Sequence, residues 1–275
     1  MSRFLSVLFL ILISTSAYAA APSEADPKKL VAEAKPVPLP PDIVWETNDD
    51  EPLIGSEKAI RGGRFTSAIG AYPMTFRLIG PNANDLFAGW NRTFALMDKH
   101  GGLVTQHPTT DEFIPILATH WSVQKDQKTI YLKLDRDAVY NDGHPVKADD
   151  YVFTWRMMQS KFILDPHYNS YAEQYLRSVD KVDDYTLRIV GTRPSWRPMS
   201  DYAGLWPTAM HATPDVDKDW VNKTTNTPLV VPGPYVVSDV RRGESVTFKR
   251  VPNWWGDKKR YFKGLYNFDE IHLRV

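Results

Sequence analysis

The sequence predicts an α/β fold in which helices flank a sheet, and three stretches carry that prediction. In residues 129–134, Ile130, Leu132 and Leu134 alternate with Thr129, Tyr131 and Lys133, the period of a strand with one buried and one wetter face. In residues 148–158, Ala148, Tyr151, Val152, Trp155 and Met158 recur at helical spacing and lay one apolar stripe along one face. At the end of the chain, Ile271, Leu273 and Val275 alternate with Glu270, His272 and Arg274 as in a second half-buried strand. Between the first two, Asn141-Asp142-Gly143 turns the chain, since Gly accepts positive φ and Asn and Asp tolerate it. Asp149 and Asp150 then fall in the first helical turn, where the helix dipole favours negative charge.

Taken from the start, Arg3, the apolar run Phe4 to Ile13 and the small residues of Ala17-Tyr18-Ala19 match a secretory signal peptide, expected over residues 1–19 with cleavage after Ala19. The apolar run is too short to span a bilayer. The sequence holds no Cys, which excludes a lipid-modified cysteine, a disulfide framework and thiolate or zinc-thiolate chemistry. The mature chain is therefore expected to lie free in the periplasm and not as a lipoprotein. Loss of Arg3 takes the basic residues from 33 to 32 against 33 acidic ones, so no electrostatic case exists for nucleic acid or an anionic membrane. Nine tryptophans supply large apolar surfaces whose N–H groups want partners, some in a core and some able to line a groove.

Residues 20–58 read as a Pro-rich extended segment. Pro22, Pro27, Pro36, Pro38, Pro40 and Pro41 interrupt regular structure, and the gap from Lys28 to Lys35 is too short to hold a helix alone in water. The acidic run Asn48-Asp49-Asp50-Glu51 reads as a solvated turn. The folded part is expected over residues 59–275. Within it the pattern predicts a strand after Gly62-Gly63, a helix from Asn84 to Leu96, a short strand at Leu103 to Thr105, a helix from Tyr168 to Leu176, and a strand from Tyr185 to Val190 with Leu187 and Ile189 buried. No cofactor and no metal ligand is assigned. His100, His107 and His120 have separations that match no compact zinc site. Asp215, Asp217 and Asp219 begin like a calcium loop, but Trp220 stands where the turn needs Gly and Asn226 where a bidentate Glu belongs. A solvated face leading into a short helix at Trp220 is expected instead.

The order of residues in 117–158 carries a resemblance. Leu117, Ala118 and Trp121 are followed by Thr129, Tyr131 and Leu134, by Val139, Tyr140, Asp142, Gly143, Pro145 and Val146, and by Ala148, Asp150, Val152 and Phe153. In this order and spacing they resemble the signature of the family 5 extracellular solute-binding proteins, the oligopeptide- and dipeptide-binding subunits of ABC importers. Lys147 departs from it, standing where the family has a Thr helix cap; Lys cannot accept the free N–H bonds of the helix start, so Asp149 or water is expected to substitute and the first turn to fray. A second run is similar to the family's later strands: Gly233-Pro234-Tyr235, Val246-Thr247-Phe248-Lys249-Arg250 and Pro252-Asn253-Trp254-Trp255-Gly256, with shorter spacing after Asn253.

The resemblance implies a periplasmic-binding-protein-like fold of type II, peptide-binding cluster. It covers the amino-terminal half of such a protein, from Gly62 onward: a first lobe built on a mixed sheet with flanking helices, the second lobe missing. The loop after the first strand, with Ala71, Tyr72, Pro73 and Met74, is implied to face ligand. Trp254 or Trp255 is placed either near the cleft or, on a plainer reading, in an aromatic core plug. The activity implied is non-enzymatic: short peptides held in an interlobe cleft and delivered to ABC permease subunits of the inner membrane, by a monomer. With one wall of the cleft, the chain alone is expected to bind weakly or not at all. The residues themselves leave a secreted carbohydrate-binding protein or a glycoside hydrolase open, because exposed Trp suits sugars and catalytic carboxylates can be distant in sequence. They show no Gly-x-Ser-x-Gly and no His-Glu-x-x-His pattern.

Overall fold

The computed structural model describes residues 22–83, 87–90 and 102–275. The stretch read as a signal peptide and His100 lie outside the described residues, as does the 84–96 helix apart from residues 87–90, which are helical.

The centre is a four-stranded antiparallel sheet in the order β4 (Ala118–Val123), β5 (Thr129–Leu134), β7 (Thr186–Gly191), β6 (Leu176–Asp183). Its register sets Ile130 opposite Ile189 and Leu132 opposite Leu187, and all four are fully buried. Tyr131, expected on the wetter face, is also buried. Across the sheet packs helix α2 (Ala148–Met158), and α3 (Pro166–Gln174) follows it. The expected stripe on α2 is present, but Phe153, Thr154 and Met157 are buried as well, because a second helix covers another side.

That second helix is α1 (Pro27–Glu33), inside the segment read as a tether. Asp26 caps it by accepting from Lys28 N at 2.9 Å, Pro27 starts it where a missing N–H costs nothing, and Val31 is buried in the main core. Tertiary burial supplies what an isolated seven-residue helix lacks. The rest of the segment is strapped down as well. Ser23 N donates to Gln159 O (2.7 Å), Val37 N to Lys181 O (2.9 Å), and Glu46 exchanges two backbone bonds with Trp121 (2.8 and 3.0 Å). Even the acidic run is held, Tyr261 Oη donating to Asn48 O (2.9 Å) and Arg260 Nη2 to Glu51 O (2.9 Å). Residues 22–58 are thus bonded to the rest of the molecule at several points, and the segment read as extended holds a helix.

Lys147 is the N-cap of α2, and the compensation comes from Asp150, not Asp149. Asp150 Oδ2 accepts from Lys147 N (3.0 Å), and Lys147 Nζ turns away to Asp184 (2.9 Å), while Asp149 pairs with Lys181 (2.9 Å). Ala148 N also donates to Asp184 O (2.9 Å), so protein groups fasten the start of the helix.

A second four-stranded sheet runs β1 (Arg64–Ala68), β10 (Glu270–Arg274), β9 (Ser245–Arg250), β8 (Tyr235–Arg241). It is mixed: β1 lies parallel to β10 and the other pairs are antiparallel. Ile271 and Leu273 face a smaller core with Ile69, Phe76, Phe87, Tyr235, Val246 and Phe248. A short pair, β2 (Val104–Gln106) and β3 (Phe113–Pro115), completes the strands, and the short helices α4 (Pro198–Tyr202) and α5 (Trp220–Thr224) follow β7. Trp220 opens α5 as the sequence predicts, with Asp217 accepting from Asp219 N (2.9 Å) and Lys223 Nζ (2.7 Å) ahead of it.

Candidate functional site

The loop after β1 is suspended between two fixed ends. At its start Ile69 N donates to Arg274 O (2.9 Å), continuing the parallel pairing by one residue. At its far end Phe76 N and Thr75 Oγ1 both donate to Thr225 O, each at 2.9 Å. Between them Gly70 has φ 69°, a left-handed conformation that Gly adopts without Cβ strain, and Ala71 N folds back onto Ile69 O at 2.8 Å. The sequence-predicted residues divide here. Ala71 and Met74 are exposed, Met74 at 64%; Tyr72 is half-buried against the smaller core; Pro73 is buried. Burial raises the Tyr72 phenol pKa, and the nearby Arg242 guanidinium opposes that, so a neutral hydroxyl stands beside a cation at the loop's edge. The loop therefore offers backbone, one thioether and one phenol on a rigid base.

Trp254 and Trp255 are not brought to this loop's surface. Both are core residues, at 3% and 6% exposure, and both indole N–H groups donate to the same carbonyl, Pro232 O, at 2.8 and 2.9 Å. Trp254 packs against Phe262 and edge-on to Tyr266. Gly256 completes the plug, since a Cβ there would sit 2.3 Å from a Trp254 ring carbon. The packing of both rings is that of an aromatic plug, and neither Trp presents a surface to ligand in this structure. The described histidines of the sequence search are also in structural positions. His107 is buried with Nε2 on Pro52 O (3.0 Å), and His120 contacts Thr119 Oγ1 (2.9 Å).

One feature was not legible as a site in the sequence. A cavity of about 90 Å³ is walled by Leu78, Ile79, Trp206, Trp220 and Val231, with Arg77 entering it. Arg77 is 97% enclosed, being 3% exposed; Nε donates to Thr75 Oγ1 (3.0 Å) and Nη2 to Pro81 O (2.9 Å), while Nη1 meets no acceptor among the described residues. Its guanidinium lies 5.6 Å from the Trp220 ring centre. The signal available was an Arg inside the otherwise apolar run Phe76-Arg77-Leu78-Ile79.

The profile of the bacterial extracellular solute-binding proteins, family 5, matches residues 112–275, more than half of the chain. The chain belongs to that family. Among family relatives, a Brucella melitensis protein designated a binding protein is 26% identical over 284 residues, covering 99% of this chain and 44% of the relative. The periplasmic oligopeptide-binding protein OppA of Haemophilus influenzae is 28% identical over 209 residues, covering 69% of this chain and 36% of its own. The crystal structure of that OppA with the peptide RPPGFSPFR superposes with a TM-score of 0.57 at 22% identity over 78% of this chain and 42% of OppA. The periplasmic EDTA-binding protein EppA gives 0.62 at 18% identity over 83% of this chain and 42% of EppA. These structural likenesses establish the shared α/β fold. The chain spans less than half the length of the family 5 proteins it matches. The names among them differ in ligand, a peptide in one and EDTA in another, so the fold alone does not choose a ligand.

Proposed function

We propose that this chain is part of the periplasmic solute-binding component of an ABC importer, non-enzymatic and monomeric, that takes short peptides in a cleft and presents them to permease subunits in the inner membrane. Family membership supports the solute-binding role. The observation that carries the site is the loop of Ala71, Tyr72, Pro73 and Met74, whose exposed tip hangs between hydrogen-bonded ends at the edge of the mixed sheet. An extended peptide is recognised largely through main-chain hydrogen bonds of strand type with tolerant side-chain pockets, and a rigid loop at a sheet edge suits that mode. Of the two tryptophans first considered for ligand contact, neither supports the proposal, and the site rests on the loop.

A cleft needs a facing wall, and the relatives are more than twice as long as this chain. A micromolar peptide complex has about 8 kcal/mol of binding free energy, and a cleft with one wall that keeps about half of it binds near millimolar. Calorimetric titration of the chain with mixed short peptides should therefore show binding no tighter than about millimolar. Micromolar binding would overturn the one-wall account. A photo-crosslinking peptide at millimolar concentration should label residues 70–74 in preference to other surfaces, and Tyr72→Ala should reduce that labelling several-fold. Labelling spread elsewhere, or capture of oligosaccharide and not peptide, would overturn the peptide reading.

A further inference from the structure

We propose that Asp142, His144 and His211 form a binding site for a divalent transition-metal ion of the zinc class, separate from the peptide-facing loop. Each of the three offers one ligand atom, and these atoms all lie within 4.8 Å of one another. His211 Nε2 is 2.7 Å from Asp142 Oδ2, and His144 Nδ1 is 3.3 Å from Asp142 Oδ1. The two imidazoles stack with centres 4.0 Å apart at 28°, which turns both toward the same carboxylate. In a tetrahedral zinc site with bonds of about 2.0–2.1 Å, ligand atoms stand about 3.3 Å from one another, so small side-chain rotations admit an ion here. Two imidazoles and one carboxylate are a donor set that zinc accepts, with the fourth position left to solvent.

The supports are more ordered than an exposed cluster requires. Asp142 Oδ1 accepts from His144 N (3.1 Å), fixing the carboxylate within its own turn. That turn is stapled on its other side, where Asn141 N donates to Val231 O (2.9 Å) and Asn141 Oδ1 accepts from Val231 N (2.8 Å). His211 comes from a distant loop, and its neighbour Met210 donates its N–H to buried Asp150 Oδ1 at 3.1 Å. The Tyr140 ring meets the His211 ring at 61° with centres 5.6 Å apart, which limits rotation of the imidazole. Rigid backing of this kind is what holds ligands in a productive geometry. All three residues are exposed, so an ion has a path in, and none is part of the loop proposed to meet peptide. Asp142 and His144 are two residues apart while His211 lies 69 beyond Asp142, a spacing that no local zinc motif contains.

The test uses the untagged chain, stripped of metal by a chelator and then exchanged into buffer. Calorimetric titration with zinc chloride should give one ion per chain, and loading with cobalt should produce the intense visible bands of a four- or five-coordinate site. His211→Ala and His144→Ala should each weaken zinc binding more than the ~10–100-fold that loss of an orienting partner costs. His167→Ala, outside the cluster, should leave it unchanged. Thermal unfolding in chelator shows whether each variant folds; should His211→Ala fail to, His144→Ala carries the test, since its ring is the more exposed of the two (60% against 32%). No zinc binding tighter than about millimolar, or binding that survives both substitutions, would overturn the proposal.

Discussion

Asp150 ties two parts of the molecule together through one carboxylate, accepting Lys147 N at the start of α2 and Met210 N in the loop before α5. Burial raises its pKa, with those two backbone N–H groups opposing the rise. Asp150→Ala should destabilise the chain by about 1–3 kcal/mol in urea unfolding, since it leaves two partly buried N–H groups without an acceptor. The sign of its pH effect is set by the raised pKa: the native state holds the proton longer than the unfolded one, so wild-type stability falls as pH rises through that value. Asp150→Asn should remove this slope. Asp184 is the opposite case. Hydrogen bonds from Lys181 and then Lys147 hold its carboxyl down at about 2, so its contribution is present above the ordinary carboxylate pKa of about 3.9 and lost as pH falls toward about 2. The melting-temperature difference between wild type and Asp184→Asn should therefore shrink between pH 5 and pH 2, and a constant difference would disprove the assignment. Trp254→Ala should cost about 3–5 kcal/mol, as for a large buried aromatic. Trp254→Phe, which keeps most of the ring volume, should leave peptide crosslinking at the loop unchanged.

At the scale of elements, what the sequence disclosed tracks the range over which each element is determined. β5, β7, β10 and α2 are written in local periodicity, and each is found where the alternation or helical spacing puts it. α1 is not local in that sense. Its seven residues hold a helix because Val31 docks in the main core and the helix packs on α2, information that lies more than a hundred positions away in the chain. Gly62-Gly63 and the strand after them locate the loop in the sequence while its role comes from the family resemblance alone, whereas Trp254 and Trp255 were ambiguous because two adjacent aromatics read equally as plug or platform. Their burial and the shared acceptor Pro232 O are tertiary facts that the local sequence does not carry. The dependence of α1 on docking is measurable: Val31→Ala should cost about 2 kcal/mol and Asp26→Ala about 1 kcal/mol. Hydrogen exchange should show both changes confined to α1 and its contacts, with the sheet β4-β5-β7-β6 unaffected.

For the whole molecule, the two sheets stand in different relations to chain order. The antiparallel sheet is assembled from residues 118–191, β4 with β5 and β6 with β7 over short turns and β5 with β7 across the connection that holds α2 and α3. The mixed sheet joins β1 to β10, and the pair Arg64 and Glu270 is 206 residues apart. Closing so long a loop costs entropy that grows only slowly with length, but it must be met before the pairing gives anything back. Among the described strands β1 has β10 as its neighbour and no other, so removal of residues 270–275 should strip β1 of protection from hydrogen exchange while leaving β5 and β7 slow.

The same pairing sets a clock. Ile69, the residue from which the loop proposed to face peptide departs, is fastened to Arg274, so the loop has no fixed origin until β10 is in place. In pulse labelling during refolding, amides of β1 should gain protection after those of β5 and β7. A strand made early thus waits for one made 206 residues later, and the surface proposed to greet a ligand is absent until that strand has joined it.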